Sequence, residues 1–256
     1  MNVMSQTMHM TRRHIMQLLR QPVWIFVTLV QPVIWLLLFG ELFQQVTNIP
    51  GFSTGSYITF LTPGIVVMSA MFSAGWSGMS LMDDMDRGVI DRMLVTPAVR
   101  VSLVLGRLLQ GSIVIVVQSL IIVGLAKLRG ASFAGIDSVI VLVAISVVLG
   151  LAFGAVSDAI ALRTRREETL VAVLNFMLLP LTFLSSAFMQ RDLMPGWMRA
   201  ISTFNPVEWA VVSGRDIALG SEDAARVVVQ CALLALLAVI ATTWTVASFR
   251  SYQRSL

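Results

Sequence analysis

The sequence predicts an all-α membrane protein with six transmembrane helices. Three observations carry that prediction. Of 256 residues, 57% are hydrophobic and only 12% are charged, about half the charged share of a soluble domain. Six apolar runs are each about 20 residues or longer, enough for one helical crossing. The basic residues sit beside those runs, where they set topology, rather than in one patch. The mean hydropathy of +0.83 agrees.

The net charge is +4. A basic balance can signal nucleic acid, but arginines flanking apolar runs are topology-setting loop charges, so no nucleic-acid partner is expected. The single Cys231 excludes an intrachain disulfide and a cysteine metal cluster, and an inert thiol is expected in its apolar run. The first apolar run lacks a following small-residue cleavage site, so it is expected to be retained.

The whole chain, residues 1–256, reads as one transmembrane domain. Residues 1–21 place Met4, Met8, Ile15, Leu18 and Leu19 on one helical face, with Arg12, Arg13 and Arg20 elsewhere. That pattern predicts an N-terminal interfacial helix on anionic lipid, with a disordered basic tail as the alternative. Residues 23–42 are the first span, where Gln31-Pro32 predicts a kink. Residues 57–82 are the second. Ser73, Gly75, Ser77 and Gly78 near its end would let a neighbouring helix approach closely.

The third span is 103–126, with Gln118 near mid-depth as an expected interhelical hydrogen-bond donor or acceptor. The fourth is 137–162. Asp137 reads as its N-cap, and Asp158 is expected to pair with Arg163 one turn on. The fifth is 170–189, with Pro180 at its middle, and the sixth is 227–249. Residues 190–226 are too polar to cross. There Pro195 can start a helix with Trp197, Met198, Ile201 and Phe204 on one face. Asn205-Pro206 breaks the chain, and 207–219 is helix-like but too short to span. Two short helices around an Asn-Pro turn predict a re-entrant or surface-lying cap.

Six spans put both termini on one side. Twelve basic residues fall on that side and six on the other, which places the termini in the cytoplasm and residues 190–226 outside.

The most charged loop, residues 83–100, is DDMDRGVIDRMLVTPAVR. Asp83, Asp84 and Asp86 suit the positive end of a helix starting there. Val89, Ile90, Met93 and Leu94 supply an apolar face, Asp91 and Arg92 point elsewhere, and Pro97 ends the helix near Thr96. A short amphipathic helix and a solvated loop fit these residues about equally. A second charged loop follows at 163–168, RTRREE.

The order Asp86-Arg87-Gly88, Asp91-Arg92, Leu94-Val95-Thr96-Pro97 and Arg100 resembles the cytoplasmic signature of ABC-2 type transporter membrane subunits. Asp stands where those families commonly have Glu, and Val89 where they have Thr. A second block, Leu193-Met194-Pro195-Gly196-Trp197, then Phe204-Asn205-Pro206, then Arg215, resembles their extracellular segment before the last span. The resemblance covers nearly the whole chain and is nearest to the daunorubicin-resistance-type and nodulation-type exporter permeases. It implies a cytoplasmic coupling helix docked on an ATPase, carried by Asp83, Asp84, Asp86, Arg87, Asp91, Arg92, Leu94 and Pro97. It implies a smaller second contact at Arg163, Arg165 and Arg166. It implies an extracellular cap built on Pro195, Trp197, Asn205, Pro206 and Arg215. Two such membrane subunits, identical or homologous, would form a pathway in a bacterial-type inner or plasma membrane. Two separate ATPase subunits would carry ATP and Mg, and hydrophobic or amphipathic cargo such as a drug, lipid or glycoconjugate would move outward.

The residues support one part independently. A phosphate-binding loop of the Walker A type needs Gly-Lys-Ser/Thr. The sole lysine, Lys127, lies between Ala126 and Leu128. Any ATP-driven role therefore needs a partner, and no enzyme activity or bound cofactor is expected of this chain. Two other classes were weighed. Gly75-Trp76-Ser77-Gly78 matches the Gly-x-Ser-Gly of rhomboid-type proteases, but a serine nucleophile needs a base, and His9 and His14 lie outside every span. Ser77 is therefore read as packing. Those histidines, five apart, also cannot form a His-x-x-x-His zinc site. An ion-coupled transporter would favour paired intramembrane carboxylates and an internal repeat. Only Asp158 is plausibly inside a span, and no repeat is evident. The 15 methionines are read as apolar filling rather than as a substrate lining.

Overall fold

The computed structural model describes residues 22–48, 56–90, 100–220 and 223–253. The expected interfacial helix at 1–21, and Asp91, Arg92, Leu94 and Pro97, lie outside the described residues. Among the described residues every regular element is a helix. In chain order these are α1 (Pro22–Leu42), α2 (Tyr57–Gly75), α3 (Ser77–Asp86), α4 (Arg100–Leu128), α5 (Ile136–Thr164), α6 (Glu167–Phe183), α7 (Gly196–Ser202), α8 (Pro206–Leu219) and α9 (Ala224–Gln253). Short 3₁₀ turns lie at Gln44–Asn48 and Arg191–Leu193.

Four stretches are long and apolar enough to cross a bilayer: Tyr57–Asp86, Gly106–Leu128, Ile136–Thr164 and Ala224–Gln253. The apolar part of α1, Thr28–Leu42, is shorter, and α6 has 17 residues. The protein is a multi-pass membrane protein.

Helix α5 is the hub. It packs against α2, α3, α4, α6, α8 and α9, and buries Leu142, Ile145, Leu149 and Phe153 along its length. Between Ser138 and Ser157 it carries no charge and no proline, so nothing opposes a continuous helix in lipid. Helix α2 is enclosed almost completely, with Phe60, Leu61, Ile65, Val66, Val67 and Met71 buried. Helix α9 turns Val228, Val229, Leu236, Val239 and Ile240 outward. An outward apolar face is the expected state where lipid is the solvent.

Small residues set the closest approaches. Gly75 meets the Leu178 side chain, and a Cβ at Gly78 would stand 2.7 Å from the Ser157 carbonyl oxygen. Both were expected to pack this way. Gly64 does the same against the Ala187 backbone. Gln118 also behaves as expected, its Nε2 donating to the Thr28 carbonyl at 2.8 Å. Helix α1 runs through Pro32.

Several boundaries differ from expectation. The second span is not one helix ending at residue 82. It breaks at Trp76 and resumes as α3 to Asp86. Asp83, Asp84 and Asp86 therefore form the last turn of a helix, not the first turn of a new one. The cause is Gly88, which adopts φ +61°. Its N–H closes on the Met85 carbonyl at 2.8 Å, a glycine C-terminal closure that no side chain resembling a helix start can override. Val89 and Ile90, after the glycine, are helical again.

Asp137 is not the N-cap of α5. Gly135 holds that position, and the Ser138 hydroxyl donates to the Gly135 carbonyl at 2.7 Å while accepting its N–H at 3.2 Å. Asp137 lies within the first turn, where its charge suits the helix dipole. Helix α6 also shifts. It starts inside the charged loop, with Glu167 and Glu168 in its first turn, because Arg165 turns the chain with a left-handed φ of 51°. It ends at Phe183 instead of near residue 189.

Candidate functional site: a buried charge cluster below the charged segment

Three helices bring ionic side chains together inside the bundle. Arg107 projects from the second turn of α4. Its Nη1 donates to Asp84 Oδ2 of α3 at 3.1 Å, and its Nη2 donates to the Ser77 carbonyl at 2.9 Å. Its Nε lies 3.5 Å from Asp158 Oδ2 of α5. The Ser77 hydroxyl completes the group, 3.0 Å from Asp158 Oδ1 and 3.2 Å from the Gly154 carbonyl. Gly78 lets α3 lie against α5 here, and its N–H donates to Ser157 Oγ at 3.1 Å.

Arg107, Asp84 and Asp158 are all buried, Asp158 to 1% exposure. Removing charge from water at that depth is costly unless each group is paired and hydrogen-bonded. Arginine suits the task because its planar fork can serve several acceptors at once. The cluster sets two aspartate side chains around one guanidinium.

This arrangement corrects two expectations. Asp158 pairs with Arg107 and Ser77, not with Arg163. Arg107, one of the twelve basic residues counted on the cytoplasmic side, is not a loop charge but a structural centre. A charged residue with Val104 and Leu105 before it and Leu108 and Leu109 after it was the available signal, together with Asp158 needing a partner. Ser77 packs as expected, its hydroxyl committed to α5.

Of the other residues expected to meet an ATPase, Asp83 and Asp86 are exposed at the end of α3. Asp84 turns inward to Arg107. Arg163 donates to Ser248 at 3.3 Å and stands 5.3 Å over the Trp244 ring. Arg165 lies 4.6 Å over the Tyr252 ring. Two arginines of the second charged loop thus grip the end of α9, each by a cation–π contact. Arg166 precedes α6 in extended backbone.

The expected cap residues gather at the other end of the bundle. Tyr57 starts α2 and Asp86 ends α3, the two ends of a 30-residue stretch. At the Tyr57 end, its hydroxyl donates to the Phe188 carbonyl at 2.9 Å. Glu41 and Arg129 form an ion pair there. Pro195 precedes α7 as its N-cap, and Pro206 occupies the first turn of α8, where its missing N–H costs nothing.

Asn205 does more than break the chain. Its Oδ1 accepts from the Val207 N–H at 2.9 Å, starting α8. Its Nδ2 donates to the Leu181 and Leu184 carbonyls at 2.7 and 3.1 Å, closing α6. One amide therefore serves the orphan groups of two helix ends.

Arg215 is buried rather than presented outward. Its guanidinium stands 3.7 Å over the Phe60 ring and donates to the Phe60 carbonyl at 3.2 Å and the Ser186 carbonyl at 2.8 Å. The Ser186 N–H in turn donates to buried Glu208 at 2.5 Å, and Arg191 lies 3.9 Å from that carboxylate. Glu208 and Ser186 were not singled out from the sequence. Of the expected apolar face, Trp197 of α7 and Phe204 just beyond its end are left outward, 62% and 82% exposed. Among the described residues, no three His, Cys, Asp or Glu side chains gather to hold a metal ion.

Comparison with known proteins adds the family. Residues 5–219 match the ABC-2 type transporter family. The chain is 30% identical over 203 residues to the putative transport permease ycf38 of Cyanophora paradoxa, covering 79% of this chain and 70% of that one. It is 29% identical over 222 residues to the daunorubicin resistance ABC transporter permease protein DrrB1 of Streptomyces coeruleorubidus, covering 86% and 77%. It is 23% identical over 217 residues to the probable doxorubicin resistance ABC transporter permease protein DrrC of Mycobacterium tuberculosis, covering 84% and 78%. With the family match spanning most of the chain, this protein is a member of the ABC-2 type transporter family.

Proposed function

We propose that this chain is the membrane-spanning subunit of an ATP-binding-cassette exporter. It moves a hydrophobic or amphipathic substrate outward, driven by separate ATPase subunits that hold ATP and Mg. Two membrane subunits, identical or homologous, enclose the pathway. The observation that carries this reading is the exposed charge where α3 ends. Family membership supplies the partner class, and Asp83, Asp86 and Arg87 stand exposed there, at the end of the α2–α3 stretch opposite Tyr57.

In this reading the chain crosses the bilayer six times. Helix α1 is 21 residues long, and the 17 residues of α6 rise about 25 Å, completed by the turns that follow. The distribution of arginine puts both termini and the charged segment in the cytoplasm and α7–α8 outside. The short helix after Gly88 docks on the ATPase through Asp91 and Arg92, with Asp83, Asp86 and Arg87 beside it. The loop from Arg163 to Arg166 makes a smaller contact.

Two experiments test this. The double substitution Asp91→Arg with Arg92→Asp is expected to reduce co-purification of the ATPase at least tenfold while membrane insertion is unchanged; undiminished co-purification would remove the charged contact. With Cys231 replaced by Ala, a cysteine at Asp223 is expected to react with an impermeant maleimide from outside, and one at Asp86 only from the cytoplasmic face. The opposite labelling overturns the orientation.

A further inference from the structure

We propose that the Arg107–Asp84–Asp158 cluster is a transmission node. It passes displacement of the charged segment 87–99 into the hub helix α5, and through α5 to the outer α8. This rests on the exporter reading above and adds the route by which the bundle responds.

The geometry supplies the argument. Asp84 lies in the last turn of α3, immediately before the segment. Arg107 lies two turns into α4, immediately after it. Their hydrogen bond of 3.1 Å ties the end of α3 to the start of α4. A push on the segment between them therefore acts on both flanking helices together. Arg107 also faces Asp158 at 3.5 Å, and Asp158 belongs to α5, which packs on α8 and α9. Ser77 adds a second tie from α3 to α5 through Asp158 and the Gly154 carbonyl. Buried ionic contacts hold their geometry more firmly than apolar surfaces, which can slide, because separating the charges strands each in a poor solvent.

Burying three charges is an expensive way to hold helices together, and an apolar core would serve stability at least as well. What the ionic cluster adds is a directional joint between three particular helices. These are the two that flank the segment and the one that contacts nearly every other helix. Arg107, Asp84 and Asp158 are positioning residues in this scheme and touch no substrate.

The test uses the complex of this chain with the ATPase that co-purifies with it, so no substrate need be known. Backbone hydrogen exchange is followed with and without ATP and vanadate, in peptides covering residues 87–99 and 206–219. The variant is Asp84→Ala. It removes the tie from the last turn of α3 to Arg107 and leaves Arg107 on the Ser77 carbonyl and beside Asp158, so the bundle is expected to remain folded. Asp84→Asn keeps an oxygen to accept from Arg107 and is the conservative control.

In the native chain, nucleotide is expected to alter exchange in both regions. In Asp84→Ala the response at 87–99 is expected to persist while that at 206–219 falls at least fivefold, and Asp84→Asn is expected to restore more than half of it. An undiminished 206–219 response in Asp84→Ala overturns the proposal. So does loss of the 87–99 response in that variant, since the cluster would then shape the docking surface instead. A native chain responding at 87–99 but not at 206–219 sinks the node alone. A native chain with no ATPase to co-purify sinks the exporter reading, and the node with it.

Discussion

Substituting methionine for Arg107 is expected to destabilise the protein by about 3–5 kcal/mol. Methionine keeps an unbranched, flexible stem but not the guanidinium. Asp84 and Asp158 would then be left buried with no cation between them, and the Ser77 carbonyl would lose its donor. The penalty comes mainly from those stranded carboxylates rather than from the worth of the contacts themselves. Thermal unfolding of the purified protein in detergent or nanodiscs is the measurement. Combining Arg107→Met with Asp84→Asn and Asp158→Asn is expected to recover part of the loss, since amides tolerate burial far better than unpaired carboxylates. A triple variant no more stable than Arg107→Met would show that the cost lies in packing instead.

Valine at Gly64 is expected to be nearly as damaging, at roughly 2–4 kcal/mol, within the range of a severely overpacked core site. A Cβ at this position would stand 2.5 Å from the Ala187 carbonyl oxygen and 3.0 Å from its Cα. Backbone, unlike the tip of a side chain, cannot swing aside. The clash would push α2 away from residues 185–188, which hold Ser186 against Glu208 and Arg215. The expected result is low yield and early thermal unfolding. Gly124→Val, at a glycine with open space around it, is the control and should behave like the native chain.

The apolar runs were legible because lipid constrains composition over long stretches, and a run of 20 apolar residues admits few readings. Helix ends were less legible because several local signals compete there. Asp83, Asp84 and Asp86 carry the charge of a helix start, and Gly88 carries the backbone freedom of a helix stop. The glycine prevailed, since φ above zero closes a helix whatever the charges before it. Asp137 lost the N-cap of α5 to Gly135 in a similar contest.

The charge cluster was illegible for another reason. Counting arginines by side treats every flanking arginine alike, and Arg107 counted as one more cytoplasmic charge. Its partners come from two other helices, and only their packing shows that Arg107 points inward. Glu208 was overlooked on the same ground, as its neighbours Ser186 and Arg191 belong to the stretch between α6 and α7. By contrast Gln118 and Ser77 were read correctly, because a lone polar group within an apolar run has few ways to be satisfied other than against another helix.

Asn205 has a consequence for how this molecule can diverge. The same side chain finishes α6 and begins α8, so the excursion between them, residues 185–204, returns to the place it left. Residues 186–188 are held against α2 and α8, and beyond them the closure rests on that amide and not on length. Residues can be gained or lost within such a closed excursion at small entropic expense, and the helices beneath keep their spacing. The surface at the α7 end is thereby free to change its shape while the packed bundle stays the same.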